Sequence, residues 1–350
     1  MAIIDKPTDY FNTKLYTGNG TSNQAITGVG FQPDFTWIKI RSSAHQHTLI
    51  DSVRGVNKGL LSNSNAAEDT NDQYGWLSSF DSDGFTTQDG SATDHWNVNK
   101  TNETYASWNW KAGGSASNNT NGTTTTSVSV NTTAGFSIGT YTGTSSVATM
   151  GHGLGAVPGM IIVKNLSSGT RKWAVWHQDL TSASKYLSLN ETSAELNDTA
   201  TWNNTLPTNL VFSSAGSGEV NQGSQNFVFY AFTQKQNYSK FGSYTGNGNA
   251  NGTFVYTGQK SAFIMLKNTT RAASWLMFDN KRLGYNVDNN EVVANTSAAE
   301  ETYDELDILS NGFKMRANGT STNLNGDKYI YMAFAENPFV SSTAIPACAR

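Results

Sequence analysis

Cysteine is all but missing. Cys348 stands alone, which excludes an intrachain disulfide framework. Charge is sparse: Asp, Glu, Lys and Arg make up 14% of the chain, against roughly 25% in ordinary soluble domains. The net charge is −4, so no basic field exists to attract nucleic acid. No apolar run approaches the roughly 18 residues of a membrane-crossing helix. The opening Met1-Ala2-Ile3-Ile4-Asp5-Lys6 lacks the apolar stretch of a secretory signal. These absences predict no nucleic-acid partner, no membrane insertion and assembly in a cytoplasm. Proline is also scarce, at 6 residues, whereas glycine numbers 32 and aromatics reach 11%. Aromatics at that level fill packed cores, which argues against disorder. Strands punctuated by Gly and Asn turns are the simplest fit.

Internal repetition is the strongest pattern in the chain. Tyr-Thr-Gly occurs at 16–18, 141–143 and 244–246, and a fourth time at 256–258. Three letters prove little, but the first three tyrosines each precede a lysine in an apolar run by 23 residues: Tyr16 and Lys39, Tyr141 and Lys164, Tyr244 and Lys267. A second apolar run follows at Thr48–Asp51, Trp173–Trp176 and Trp275–Asp279. Next comes an Asn-rich segment closing on Ala-Glu at Glu68, Glu195 and Glu300. Each unit ends on an aromatic strand, Tyr105–Trp108, Phe229–Phe232 and Tyr331–Phe334.

This order predicts three divergent copies of one module: 10–111, 135–235 and 236–338. An N-terminal arm (1–9) and a C-terminal arm (339–350) flank them, and 112–134 reads as a Gly/Ser/Thr/Asn linker in which Val128 and Val130 suit a short edge strand. Apolar runs of 4–7 residues broken every 8–12 residues by turn formers indicate antiparallel β-sandwiches, lectin- or jelly-roll-like. The one helix candidate is 297–306.

The Tyr-Thr-Gly openings, the Asn-rich segments ending in Ala-Glu, the Ala106-to-Gly114 stretch Ala-Ser-Trp-Asn-Trp-Lys-Ala-Gly-Gly and the Tyr331-to-Pro338 stretch carry a resemblance. They resemble a domain of uncharacterised function that recurs in structural, tail-fibre-like proteins of tailed marine bacteriophages. The resemblance implies a virion component, capsid- or tail-associated, whose partners are copies of itself, other virion proteins and a host-surface glycan. The alternative class is a carbohydrate-binding or carbohydrate-active lectin-like protein.

Site chemistry is thin. His45-Gln46-His47 has no third ligand at metal spacing and reads as a polar loop. Glu68, Glu195 and Glu300 recur in every unit, which fits a carboxylate binding loop amides better than one doing acid–base work on a glycoside. Asp288–Glu291 and Asp304–Asp307 depart from the Asp-x-Asp-x-Asn-Gly pattern of calcium loops and read as solvated turns. Trp173, Trp176 and His177 are candidates for a sugar platform, but the two tryptophans fall on opposite strand faces, so core burial is expected for them instead. Gly151-His152-Gly153-Leu154-Gly155 lacks the Lys-Ser/Thr of a phosphate loop and suits a tight bend. The expectation is therefore no enzyme, no catalytic residue, no cofactor and no bound metal.

Overall fold

Alternation decides where these strands sit, because successive side chains leave a strand on opposite faces. In Phe35–Ile40, Phe35 and Trp37 point one way while Ile38 and Ile40 point the other, into a different core. Met160–Asn165 divides Met160 and Ile162 from Ile161 and Val163 in the same manner. Gln259–Asn268 divides Phe263 and Met265 from Ile264 and Leu266. A strand apolar on both faces must be covered on both, so each lies in the middle of a sandwich.

The computed structural model describes residues 3–341 and 343, apart from residues 93, 94, 283–285, 287 and 288. It is all-β and its strand pairs are antiparallel, with one short 3-10 turn at Pro7–Asp9. Three main sheets share one strand order. In the first, Phe11–Thr17 pairs with Thr104–Trp110, which pairs with Phe35–Ile40, then His47–Asp51. In the second the same places are held by Phe136–Thr142, Asn226–Phe232, Met160–Asn165 and Ala174–His177. In the third they are held by Ser239–Thr245, Lys328–Pro338, Gln259–Asn268 and Trp275–Asp279. Lys39, Lys164 and Lys267 thus occupy corresponding positions on corresponding strands.

The inner faces of all three sheets converge on a single core. At its centre Trp110, Phe232 and Phe334 form a near-equilateral triangle, with ring centroids 6.4, 5.6 and 5.8 Å apart. Each buried ring contributes about 1.5–3 kcal/mol by leaving water, and aromatic pairing adds about 0.5–1.5 kcal/mol. A small sheet covers each outer face: Ala25–Thr27, Trp76–Asp81 and Gly84–Gln88 on the first; Val147–Gly151 and Val211–Ala215 on the second; Phe254–Tyr256, Leu306–Leu309 and Gly312–Met315 on the third.

The Tyr-Thr-Gly openings acquire a physical meaning. The ring of Tyr16 stacks on Tyr105, Tyr141 on Phe227 and Tyr244 on Tyr329, at 5.0, 5.1 and 4.9 Å. Their hydroxyls donate to the carbonyls of Val98, Val220 and Thr322. The glycine is required because a Cβ at Gly18, Gly143 or Gly246 would lie 2.1–2.3 Å from a facing carbonyl oxygen. At the fourth occurrence Tyr256 is instead exposed.

Three expectations need correction. The 297–306 stretch is not helical: Glu301–Tyr303 pairs with Asn289–Glu291 as a strand, because an open sheet edge outweighs the weak helix preference of Ala-Ala-Glu-Glu. The 112–134 stretch contains the edge strand expected at Val128 and Val130, Thr126–Asn131, but its first part is not a free linker: Ser117–Asn119 pairs with that strand, and both extend the second sheet beyond Phe136–Thr142. His47 belongs not to a polar loop but to a strand, and it is fully buried.

Candidate functional site

Most of the titratable groups that lie out of water gather along the three seams where one main sheet meets the next. They begin with the recurrent lysines. Each amine meets two carbonyls: Lys39 the oxygens of His45 and Ser297 at 2.8 and 3.3 Å, Lys164 those of Arg171 and Asn65 at 2.7 and 2.9 Å, Lys267 those of Asn268 and Thr192 at 2.7 and 3.2 Å. One acceptor of every pair belongs to a neighbouring sheet's Ala-Glu segment. Burial lowers these amines to about 7, 8 and 7 respectively. A neutral amine keeps two N–H donors, which matches two acceptors.

Two further bonds repeat at each seam. The backbone N–H groups of Glu68, Glu195 and Glu300 donate to the carbonyls of Leu166, Thr269 and Arg41, each two residues beyond a lysine. The indoles of Trp173 and Trp275 donate across to Leu61 and Ser188 at 3.0 and 2.9 Å. In the first sheet His47 stands where those tryptophans stand. Its Nε2 donates to the Val293 carbonyl at 3.0 Å, while Nδ1 accepts from Trp37. The direction is cyclic: second sheet onto first, third onto second, first onto third.

Ionic clusters occupy two seams. Asp51 accepts from Arg54 and from the Tyr230 hydroxyl of the second sheet, and Arg54 reaches Glu68. Asp279 accepts from Arg282 and from the Trp108 indole of the first sheet, and Arg282 reaches Glu300. Arg41 closes on Glu300 with two bonds of 2.8 Å. Burial alone would raise the Glu300 carboxyl, but Arg41 and Arg282 outweigh it and hold it below its ordinary value.

The remaining seam is built differently. His177 and Leu180 take the places of the Asp and Arg, and Met332 takes the place of the donors Tyr230 and Trp108. His177 Nε2 donates to the Tyr331 carbonyl at 3.1 Å. Burial lowers the imidazole to about 4.

The glutamates expected to bind loop amides therefore divide. Glu195 accepts from the Thr181 amide and hydroxyl, whereas Glu68 and Glu300 hold arginines. Trp173 and Trp176 are both buried, in different cores. His152 is buried and donates to the Thr208 carbonyl, in a bend where Gly153 and Gly155 have positive φ. Glu305 and Asp307 engage Thr322 and Arg316, and Asp288 lies outside the described residues, as does Cys348. Among the described residues no group of three or more His, Cys, Asp or Glu is placed to hold a metal, and no helix is long and apolar enough to cross a membrane.

Some seam residues had a sequence signal that went unread. Asp-x-x-Arg lies 12 residues after both Lys39 and Lys267. A buried asparagine also sits six residues before the stacked ring in each sheet: Asn99, Asn221 and Asn323. Each accepts from the amide just after the Tyr-Thr-Gly glycine and donates to the carbonyl two residues further on.

Residues 6–338 match the family described as "Domain of unknown function (DUF7483)", and the chain belongs to that family. No curated protein and no solved structure gives a match.

Proposed function

We propose that this member of the family is a structural component of a tailed-phage particle, capsid- or tail-associated, built from three divergent copies of one sandwich module closed into a ring. The observation that carries the reading is the use made of the buried reactive groups. The lysines, His47, His177 and the two Asp–Arg–Glu clusters all bond one main sheet to the next. Groups held in this way stiffen a scaffold. The matching strand orders and the cyclic seams support the three-copy architecture, with 10–111, 135–235 and 236–338 as the modules. The sequence resemblance supports the virion assignment.

The test is fractionation of lysate followed by cryo-EM of the purified particles. The proposal expects the chain to co-purify with intact particles at a fixed stoichiometry and to fit density on their surface. A chain found wholly in the soluble fraction contradicts it.

A further inference from the structure

One groove stands apart from the seams. It has a volume of about 820 Å³ and opens where the second and third main sheets adjoin the two chain arms. Val157 and Tyr256 line it, 54% and 59% exposed, with Phe339 and Val340 beside them. Among the described residues its charged lining side chains are Lys235 and Lys240, with no carboxylate. Neither lysine has an ion-pair partner among the described residues. A cationic, partly apolar groove on a chain of net charge −4 is a surface built for an acidic, partly apolar occupant.

The chain presents such a segment elsewhere. Glu301–Tyr303 is the outermost strand of the third main sheet and is exposed along its length. Glu301, Tyr303 and Asp304 project there, with Tyr303 48% exposed. No cation lies within ion-pair distance of Glu301 or Asp304 among the described residues. Burial, with Glu305 and Glu301 adding to it, raises the carboxyl of the neighbouring Glu291 to about 7.

The groove's Lys240 and the strand stand far apart within one molecule. Lys240 lies on Ser239–Thr245, the opposite edge of the same six-stranded sheet. Five strand spacings of about 4.8 Å separate the two edges by roughly 24 Å. We infer that the groove around Lys235, Lys240 and Tyr256 receives the Glu301–Asp304 edge of a second copy. The contact is heterologous, so repetition makes a ring or a filament. It rests on the reading of the chain as a self-assembling structural protein and gives that assembly a specific surface.

A charge-swap experiment tests it. Sedimentation velocity across a concentration series is run at low and high salt on the wild type, on Lys235→Glu/Lys240→Glu and on Glu301→Lys/Asp304→Lys. Near-UV circular dichroism checks that each variant is folded. The wild type should associate, and less so at high salt, where screening shortens to a few ångströms. Each variant alone should be monomeric, because its groove and strand then carry like charge. An equimolar mixture of the two variants should associate again, since both contacts regain opposite charges. A wild type that associates beside variants that associate equally overturns this contact but leaves self-assembly standing. A wild type that stays monomeric throughout also overturns it, while co-purification with particles tests the virion role separately.

Discussion

If the three seams are versions of one arrangement, a solution found at one should work at another. Arg282 and Asp279 are fully buried. Replacing Arg282 by leucine leaves the Asp279 charge held by Trp108 and the backbone N–H groups of Lys281 and Arg282, and Glu300 held by Arg41 and Asn290. The Met277 carbonyl loses its guanidinium donor. Breaking a buried pair costs about 3–5 kcal/mol; the surviving partners place Arg282→Leu near the lower end, about 3 kcal/mol. The second sheet meets the same position with His177 and Leu180, and His177 Nδ1 accepts the Asp179 amide as Asp279 accepts that of Lys281. Adding Asp279→His removes the stranded charge and restores that bond. The double variant should therefore recover about 2 kcal/mol, leaving roughly 1 kcal/mol for the unpaired Trp108 and Met277 groups. Urea unfolding of wild type, both singles and the double measures the coupling. A double variant as unstable as the sum of its singles would refute the equivalence of the seams.

Other consequences are independent of that swap. Lys39, Lys164 and Lys267 titrate near 7–8 when folded and near 10.5 when unfolded, so between those values the unfolded chain binds more protons and stability rises with pH. Buried tyrosines such as Tyr141 and Tyr230, raised well above 10 by burial, reverse the trend above about pH 10; urea midpoints that fall between pH 7 and 9 would contradict this. His177, lowered by burial to about 4 from 6.5, keeps its full contribution above 6.5 and loses it as pH falls towards 4; His177→Gln should flatten the acid limb of a stability–pH curve, and an unchanged limb would count against it. Asn323→Leu strands the Asn247 amide and the Asn249 and Ala317 carbonyls and should cost about 2–4 kcal/mol; a thermal midpoint matching wild type would show these bonds to be dispensable.

The spacing from tyrosine to lysine was legible because both residues are held in place: the tyrosine by its stack and carbonyl, the lysine by its seam. The convergence of three sheets on one core was not. Across the seams the acceptors are mostly backbone carbonyls, those of Leu61, Ser188 and Val293 among them, and a carbonyl leaves no mark in sequence. His47 looked like loop because its neighbours are polar, yet it fills a tryptophan's place. The strand Thr126–Asn131 was legible from valines alternating with Ser and Thr, whereas Ser117–Asn119 looked like linker because it has no apolar side chain and becomes a strand only by pairing with Thr126–Asn131. The groove was illegible for a simpler reason: Val157, Lys235, Tyr256 and Phe339 are far apart in the chain and meet only when the sheets close.

The closed ring is tested most directly by native-state hydrogen exchange at three amides, those of Glu68, Glu195 and Glu300, each bonded across a different seam. If the three sheets share one core, all three amides are protected. With rising denaturant their opening free energies converge on the global unfolding value together. An amide that exchanges at the rate of a free loop while its own sheet stays protected would mean an open seam, and the chain would then be separate domains rather than a ring.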